Sequence, residues 1–146
     1  MNAKQYLLQY ETLKGQCDLL LAEIETMRAD AEAVNQVVDG MPKAPGVADR
    51  VGNVAVKLAD KWHEYERQLM DLWQLRTEIT NMISKLDSAT HSRLLYDRYI
   101  KLMKWAEVAN DIYMDEVYTR GALHGAALQA LEKILLNTKT TYTMLH

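Results

Sequence analysis

Between Tyr6 and Val38 the apolar and aromatic residues recur in alternating steps of four and three: Tyr6, Tyr10, Leu13, Cys17, Leu20, Ile24, Met27, Ala31, Val34 and Val38. An α-helix completes a turn in about 3.6 residues, so this alternation keeps one narrow apolar stripe on one side of a long helix. A strand, which repeats every second residue, cannot use such a pattern. The spacing is that of a coiled-coil seam and requires a partner helix.

The partner is present in the same chain. Val51, Val54, Leu58, Trp62, Tyr65, Leu69, Leu72, Ile79, Ile83 and Leu86 keep the same rhythm, with Arg76 as the one charged interruption. Between the two runs, VVDGMPKAPGVADR gathers Gly40, Pro42, Pro45 and Gly46, which predicts a loop at about residues 39–49. Two long helices joined by so short a loop form an antiparallel hairpin over residues 1–86. Leu7, Leu21, Trp73, Leu75 and Met82 lie off the seam and widen the apolar face beyond what two helices cover. The C-terminal helices, a second copy of the chain or both are expected to cover it. The hairpin therefore reads either as plain packing or as a spine for homo-oligomerisation or partner binding. Gly15 lies inside the first helix and weakens it by about 1 kcal/mol relative to alanine.

After residue 86 the rhythm shortens. Asp87 or Ser88 is placed to cap a helix running to about residue 102, with Leu94, Leu95, Tyr99 and Leu102 on one face. A second short helix is predicted over about 104–113, burying Trp105, Val108, Ala109 and Ile112. A third, capped by Asp115 or Thr119, is predicted to reach Leu136, and NTKTTYTMLH at 137–146 lacks a periodic pattern and reads as frayed. The fold class is thus all-α, with a hairpin at 1–86 and a three-helix unit at 87–136.

No run of eighteen apolar residues exists, and the first residues are too polar for a signal peptide, so a cytoplasmic protein without membrane contact is expected. The single cysteine forms no internal disulfide, and on a helix seam it reads as a buried, inert thiol. His63, His91, His124 and His146 are far apart, and none has a histidine three or four residues on, so no metal is expected. No glycine-rich phosphate loop follows a strand, and the carboxylates alternate with lysine and arginine as on a solvated helix face. Neither catalysis nor a cofactor is expected. The net charge of −3 gives no general attraction for nucleic acid, although residues 90–146 carry seven basic against six acidic side chains.

In KWAEVANDIYM the apolar residues share one face, and the small Ala109 leaves room for a second helix to cross closely. A short supporting helix, a brief turn and a longer helix make a helix-turn-helix, and on spacing alone an ordinary three-helix packing unit fits equally. The stretch from Ser92 to Leu135 resembles region four of bacterial sigma factors, through Leu95, Arg98 and Tyr99, then Trp105, Glu107, Val108 and Ala109, and last Ala127, Leu128 and Leu131. The whole chain is similar to a phage and prophage family of sigma-like transcription regulators of Gram-positive bacteria, through MNAKQYL, VADRVGNVAVKLAD at 47–60 and the LHG-x-AL string at 123–128.

The resemblance implies transcriptional control through double-stranded DNA, with host RNA polymerase as a further partner. It implies base contacts from Tyr118, Thr119, Arg120 and His124, and phosphate contacts from Arg98, Lys101, Lys104 and Lys133. Two features depart from the sigma pattern. Tyr113 and Met114 stand where a turn glycine is usual, and the distance from Ala109 to Ala127 and Leu128 is one residue too long, so the turn is expected to bulge or the last helix to start late. The last helix also carries only Arg120 as a cation before Lys133, so a single copy should hold DNA weakly and a dimer is favoured. The alternative in a different class is an adaptor that docks on polymerase or another phage protein without touching DNA.

Overall fold

The computed structural model describes residues 1–38 and 47–145, with side-chain surroundings for 1–34 and 52–139. The regular secondary structure of the described residues is all helical, with no strand among them. The chain forms two compact units: Met1–Thr12 together with Trp73–His146, and Leu13–Leu72. The boundary read from sequence at residues 86 and 87 falls inside the first of these.

Helix α1 spans Ala3–Val38 and α2 spans Val47–Ser84. The expected loop lies mostly outside the described residues, and α2 has already begun at Val47. A reciprocal box opens α1: the Gln5 N–H donates to Asn2 Oδ1 at 2.8 Å, and the Asn2 N–H donates to Gln5 Oε1 at 2.9 Å. These bonds satisfy donors that a helix start leaves without intrahelical acceptors.

In the unit Leu13–Leu72, Cys17, Leu20 and Ile24 of α1 are buried, as their seam positions require, and Leu72 is buried on α2. Lys61 lies 3.4 Å from Glu23, whereas Asp71 is close enough to Cys17 to help raise its thiol pKa, after burial and Asp18. The contacts therefore run in opposite directions along the two helices. Beyond Ile24 the seam opens. Val34 is 50% exposed, and on α2 Trp62 is 39% and Val56 60% exposed, so two helices alone leave much of the apolar surface uncovered.

In the other unit, Leu7 and Tyr10 of α1 and Ile79 and Ile83 of α2 are buried. Leu7 was expected off the seam, and its burial means that this end of α1 is covered on more than one side. Arg76, the charged interruption, is exposed and reaches the Tyr96 hydroxyl at 3.4 Å. Ser92 Oγ donates to the Ile83 carbonyl at 2.9 Å, which ties the next helix to the end of α2.

Helix α3 spans Ala89–Leu95, with Ser88 as its cap: Ser88 Oγ accepts from the His91 N–H at 3.2 Å. It continues into a π-helical turn, Tyr96–Ile100, capped by Lys101, and Leu102 beyond the cap has a left-handed φ of 56°. The expected buried face holds at Leu94, Leu95 and Tyr99, but Leu102 is turned out and 36% exposed. The left-handed conformation redirects its side chain away from the face that regular helix geometry would give it.

Helix α4 spans Trp105–Asp111 and buries Val108 and Ala109, while Trp105 and Ile112 are only half-buried. The Lys104 N–H donates to the Glu107 carboxylate at 3.2 Å, but lysine offers no acceptor in return, so only half of a capping box forms. α4 stops in a Schellman motif: the Met114 N–H bonds the Ala109 carbonyl at 3.0 Å and the Tyr113 N–H bonds the Asn110 carbonyl at 3.3 Å. Tyr113, at φ 58°, occupies the position where glycine is usual.

Asp115 caps the next helix, its Oδ2 accepting from the Tyr118 N–H at 3.0 Å. This helix begins as α5, Glu116–Tyr118, widens into a second π turn, Thr119–Leu123, and continues as α6, His124–Leu145. Two expectations are corrected here. The helix neither starts late nor follows a bulged turn, because a π turn takes one more residue per bond than an α turn and absorbs the extra residue inside the helix. The helix also runs on to Leu145 instead of ending near Leu136. Residues 140–145 have no described side chains, so only the backbone speaks to the frayed end expected at 137–146.

α3 packs on α6, whereas α4 packs on α5 and on the two π turns. Leu94 and Leu95 are buried on α3, Ala127 and Leu131 on α6, and Leu123 at the end of the π turn before it. Burying a leucine of this kind contributes about 1.5–3 kcal/mol. Arg93 clasps Asp111 at 2.7 and 3.5 Å and lies 3.3 Å from Asp97, which is fully buried. No donor meets either Asp97 oxygen at hydrogen-bonding geometry. Burial pushes the Asp97 carboxyl up to about 6, with Asp111 adding to the effect. Asp111 is held below the usual carboxylate range, by Asp97 first and Arg93 second.

Candidate nucleic-acid interface

The two π turns meet at one point. Tyr99, in the first, places its hydroxyl 2.7 Å from Nε2 of His124, the residue that follows the second. Trp105, the first residue of α4, sets its ring edge-on to the His124 ring with centroids 4.7 Å apart. The guanidinium of Arg98 lies 4.6 Å above the Trp105 ring and donates to the Met103 carbonyl at 2.9 Å. An arginine over an indole gains from the ring quadrupole, and its planar fork is then held in place.

This cluster forms one wall of a cavity of about 340 Å3, lined also by Lys4, Leu8 and Glu11 of α1, by Leu102 and by Arg120. Three cations therefore face one carboxylate. His124 is held below the ordinary imidazole value, first by burial and then by Lys4 and Arg98, while a backbone hydrogen bond to Arg120 acts in the opposite sense. The ring is neutral near pH 7. The direction of the bond between the Tyr99 hydroxyl and Nε2 follows the ring tautomer.

Of the residues expected to read bases, Tyr118 and Arg120 are exposed, Tyr118 by 50%. Thr119 is a correction: it is completely buried, and its hydroxyl donates to the Asp115 carbonyl at 2.7 Å. The π turn rotates it inward, where a threonine satisfies its hydroxyl on its own helix. His124 is half-buried and committed to Tyr99 and Trp105, so it shapes the cavity wall.

Among the expected phosphate contacts, Lys101 and Lys104 are exposed and Arg98 is half-buried on the cavity. Lys133 is exposed but lies nine residues beyond His124 on α6, about 13 Å along the axis and half a turn around it. It does not join the others.

Sequence reasoning missed Lys4 and Glu11. Lys4 lies within MNAKQYL, which marks a resemblance and no site, Glu11 lies in no motif, and only the packing of the start of α1 against α6 brings them in. The Ala3 N–H donates to Glu132 of α6 at 2.6 Å, which fixes that packing. The surface of the turn was also missed as a feature. Tyr113 is 93% exposed and Val117 73%, with Met114 and Tyr118 also exposed, beside the acidic Asp115 and Glu116. Gly121 and Gly125 open onto empty space, so among the described residues their small size serves no close helix approach.

Among the described residues no helix is long and apolar enough to cross a membrane, and no three histidine, cysteine or acidic side chains gather as for a metal ion. No known protein family, no curated protein and no solved structure matches the chain.

Proposed function

We propose that the chain is a phage-derived transcriptional regulator that binds double-stranded DNA through α4, the turn and the helix begun by α5, acting as a helix-turn-helix that follows a helical hairpin. The observation that carries the reading is the junction itself: a Schellman close at Tyr113 and Met114, an Asp115 cap, and a following helix whose first turns project Tyr118 and Arg120 outward. In this geometry the second helix enters the major groove, Arg120 and Tyr118 face base edges, and Lys101 and Lys104 meet phosphates. The exposed apolar surface of the hairpin favours a second copy, which doubles the few cations available. RNA polymerase is the further partner that the resemblance to sigma region four suggests.

The test is fluorescence anisotropy against duplex DNA from upstream of the protein's own gene, at 50 and 200 mM salt, with the mass in solution measured alongside. With two phosphate contacts per copy, and so about four in a dimer, affinity should fall about a hundredfold over that range. Arg120→Ala should weaken specific binding by about 10- to 100-fold and relax sequence preference. Operator binding that ignored this substitution would exclude the assigned recognition helix.

A second reading is favoured by the apolar surface of Tyr113, Met114, Val117 and Tyr118 beside Asp115 and Glu116, which repels phosphate and suits a protein partner. In that case the chain is an adaptor that docks on polymerase or another phage protein. Its binding should barely respond to salt and should fall on Val117→Asp, whereas Arg120→Ala should leave it intact.

A further inference from the structure

The cavity between the start of α1, the end of α3 and the start of α6 has features that base reading does not use. It is concave, whereas a groove-reading surface is convex, and its 340 Å3 lies within the range of small-ligand sites. Lys4, Arg98 and Arg120 converge on it against Glu11 alone, and among the described residues no carboxylate pairs with Lys4 or Arg120. Three cations gathered against one carboxylate keep a net positive charge and repel one another, and an anion relieves the repulsion.

Arg98 is already oriented by Trp105 and the Met103 carbonyl, so it loses little freedom on binding. Two guanidinium groups and an ammonium suit a tetrahedral dianion, since arginine forks bind phosphate oxygens in pairs and lysine adds a point charge. Leu8 and Leu102 contribute apolar walls, which strengthen a charge interaction inside.

We propose that this cleft is a phosphate-binding cradle, formed by Lys4, Arg98 and Arg120 around the Trp105 and His124 rings. The group it takes is a phosphate, whether from the DNA backbone or from a free phosphorylated compound. The first source rests on the DNA reading above, with Arg120 then meeting a backbone phosphate and Tyr118 left to face the bases, and the second does not. Lys4 brings the N-terminal helix into binding, a role no other feature of that helix suggests.

The test uses the full chain and two probes. Inorganic phosphate is titrated at pH 7.5 while the Trp105 indole N–H is followed by NMR, and duplex DNA binding is measured across a salt series. Lys4→Gln and Arg120→Gln are compared with Lys57→Gln, an exposed cation of the other unit, after each is shown to be folded by circular dichroism. Phosphate should shift the Trp105 signal saturably, and Lys4→Gln and Arg120→Gln should each weaken this by about fivefold or more while Lys57→Gln does not.

If the backbone of DNA is the source, Lys4→Gln should also lower the salt slope by about one. Loss of the phosphate effect with an unchanged slope, or without any DNA binding, keeps the cradle and assigns it a free phosphate. A fall in the DNA slope without a free-phosphate effect keeps it as a backbone contact. If Lys4→Gln alters neither phosphate nor DNA binding, the cradle is overturned, and the DNA reading is then decided by Arg120→Ala alone.

Discussion

The Tyr99 hydroxyl lies 2.7 Å from Nε2 of His124, a residue 25 positions later, and this bond joins the two π turns of the C-terminal helices. A π turn leaves a helix locally wider and less regularly bonded, so it holds only where tertiary contacts over-determine it. Here the contact is a hydrogen bond with the Trp105 ring pressed against its histidine end. Tyr99→Phe should cost about 1 kcal/mol in urea unfolding, because it leaves the His124 nitrogen half-buried without its partner.

His124 also reports the charge around the cavity. Burial lowers its pKa first, and Lys4 and Arg98 lower it further. Removing a cation lessens the cost of adding a proton, so Lys4→Gln should raise the His124 pKa. NMR titration of the imidazole signals measures this, and an unchanged pKa would mean that Lys4 does not face the ring.

Asp97 makes stability depend on pH in a defined window. Its folded pKa, about 6, stands above the ordinary 3.8, so its contribution is fully present below about pH 4 and is lost as pH rises through 6. Asp111, with a lowered pKa, works in the opposite sense and below that window, losing its contribution as pH falls. Asp97→Asn should therefore stabilise the protein at pH 7.5, by on the order of 2 kcal/mol, and leave it little changed at pH 4. Urea midpoints at the two pH values decide the matter; equal gains at both would contradict the sign.

Tyr113 holds a left-handed conformation without glycine's freedom. Tyr113→Gly relieves about 1 kcal/mol of steric cost and adds a similar amount of unfolded-chain entropy, so stability should change little. Tyr113→Val, which is β-branched, should destabilise by more than 1 kcal/mol. Because Tyr113 is 93% exposed, no lost packing complicates the comparison.

Glu132 accepts the Ala3 N–H at 2.6 Å and so fastens the start of α1 to α6. Glu132→Ala should cost about 1–2 kcal/mol and lower the melting temperature by about 2–6 °C. Increased hydrogen exchange should appear at residues 3–7, beside the lost bond.

The helical class and much of the layout were legible in the sequence, and particular residues show why. The four-and-three spacing through Cys17, Leu20 and Ile24 marks residues that are indeed buried, because a helical repeat ties sequence position directly to a face. Ser88 and Asp115 were among the expected caps, since a cap depends on the residues immediately beside it.

What escaped the sequence has a common cause. Thr119 was placed on the surface and is buried, and Leu102 was placed inside and is turned out, because a π turn or one left-handed residue changes the face of everything nearby. Neither leaves a periodic trace. Helix identity, spacing and capping are set by neighbours along the chain, and the sequence alone determined them for this protein. The meeting of Lys4 with Arg98 and Arg120, and of Tyr99 with His124, joins residues far apart in the chain. Only tertiary packing decided those contacts, because charge and hydrogen bonding act through space at distances that sequence order does not encode.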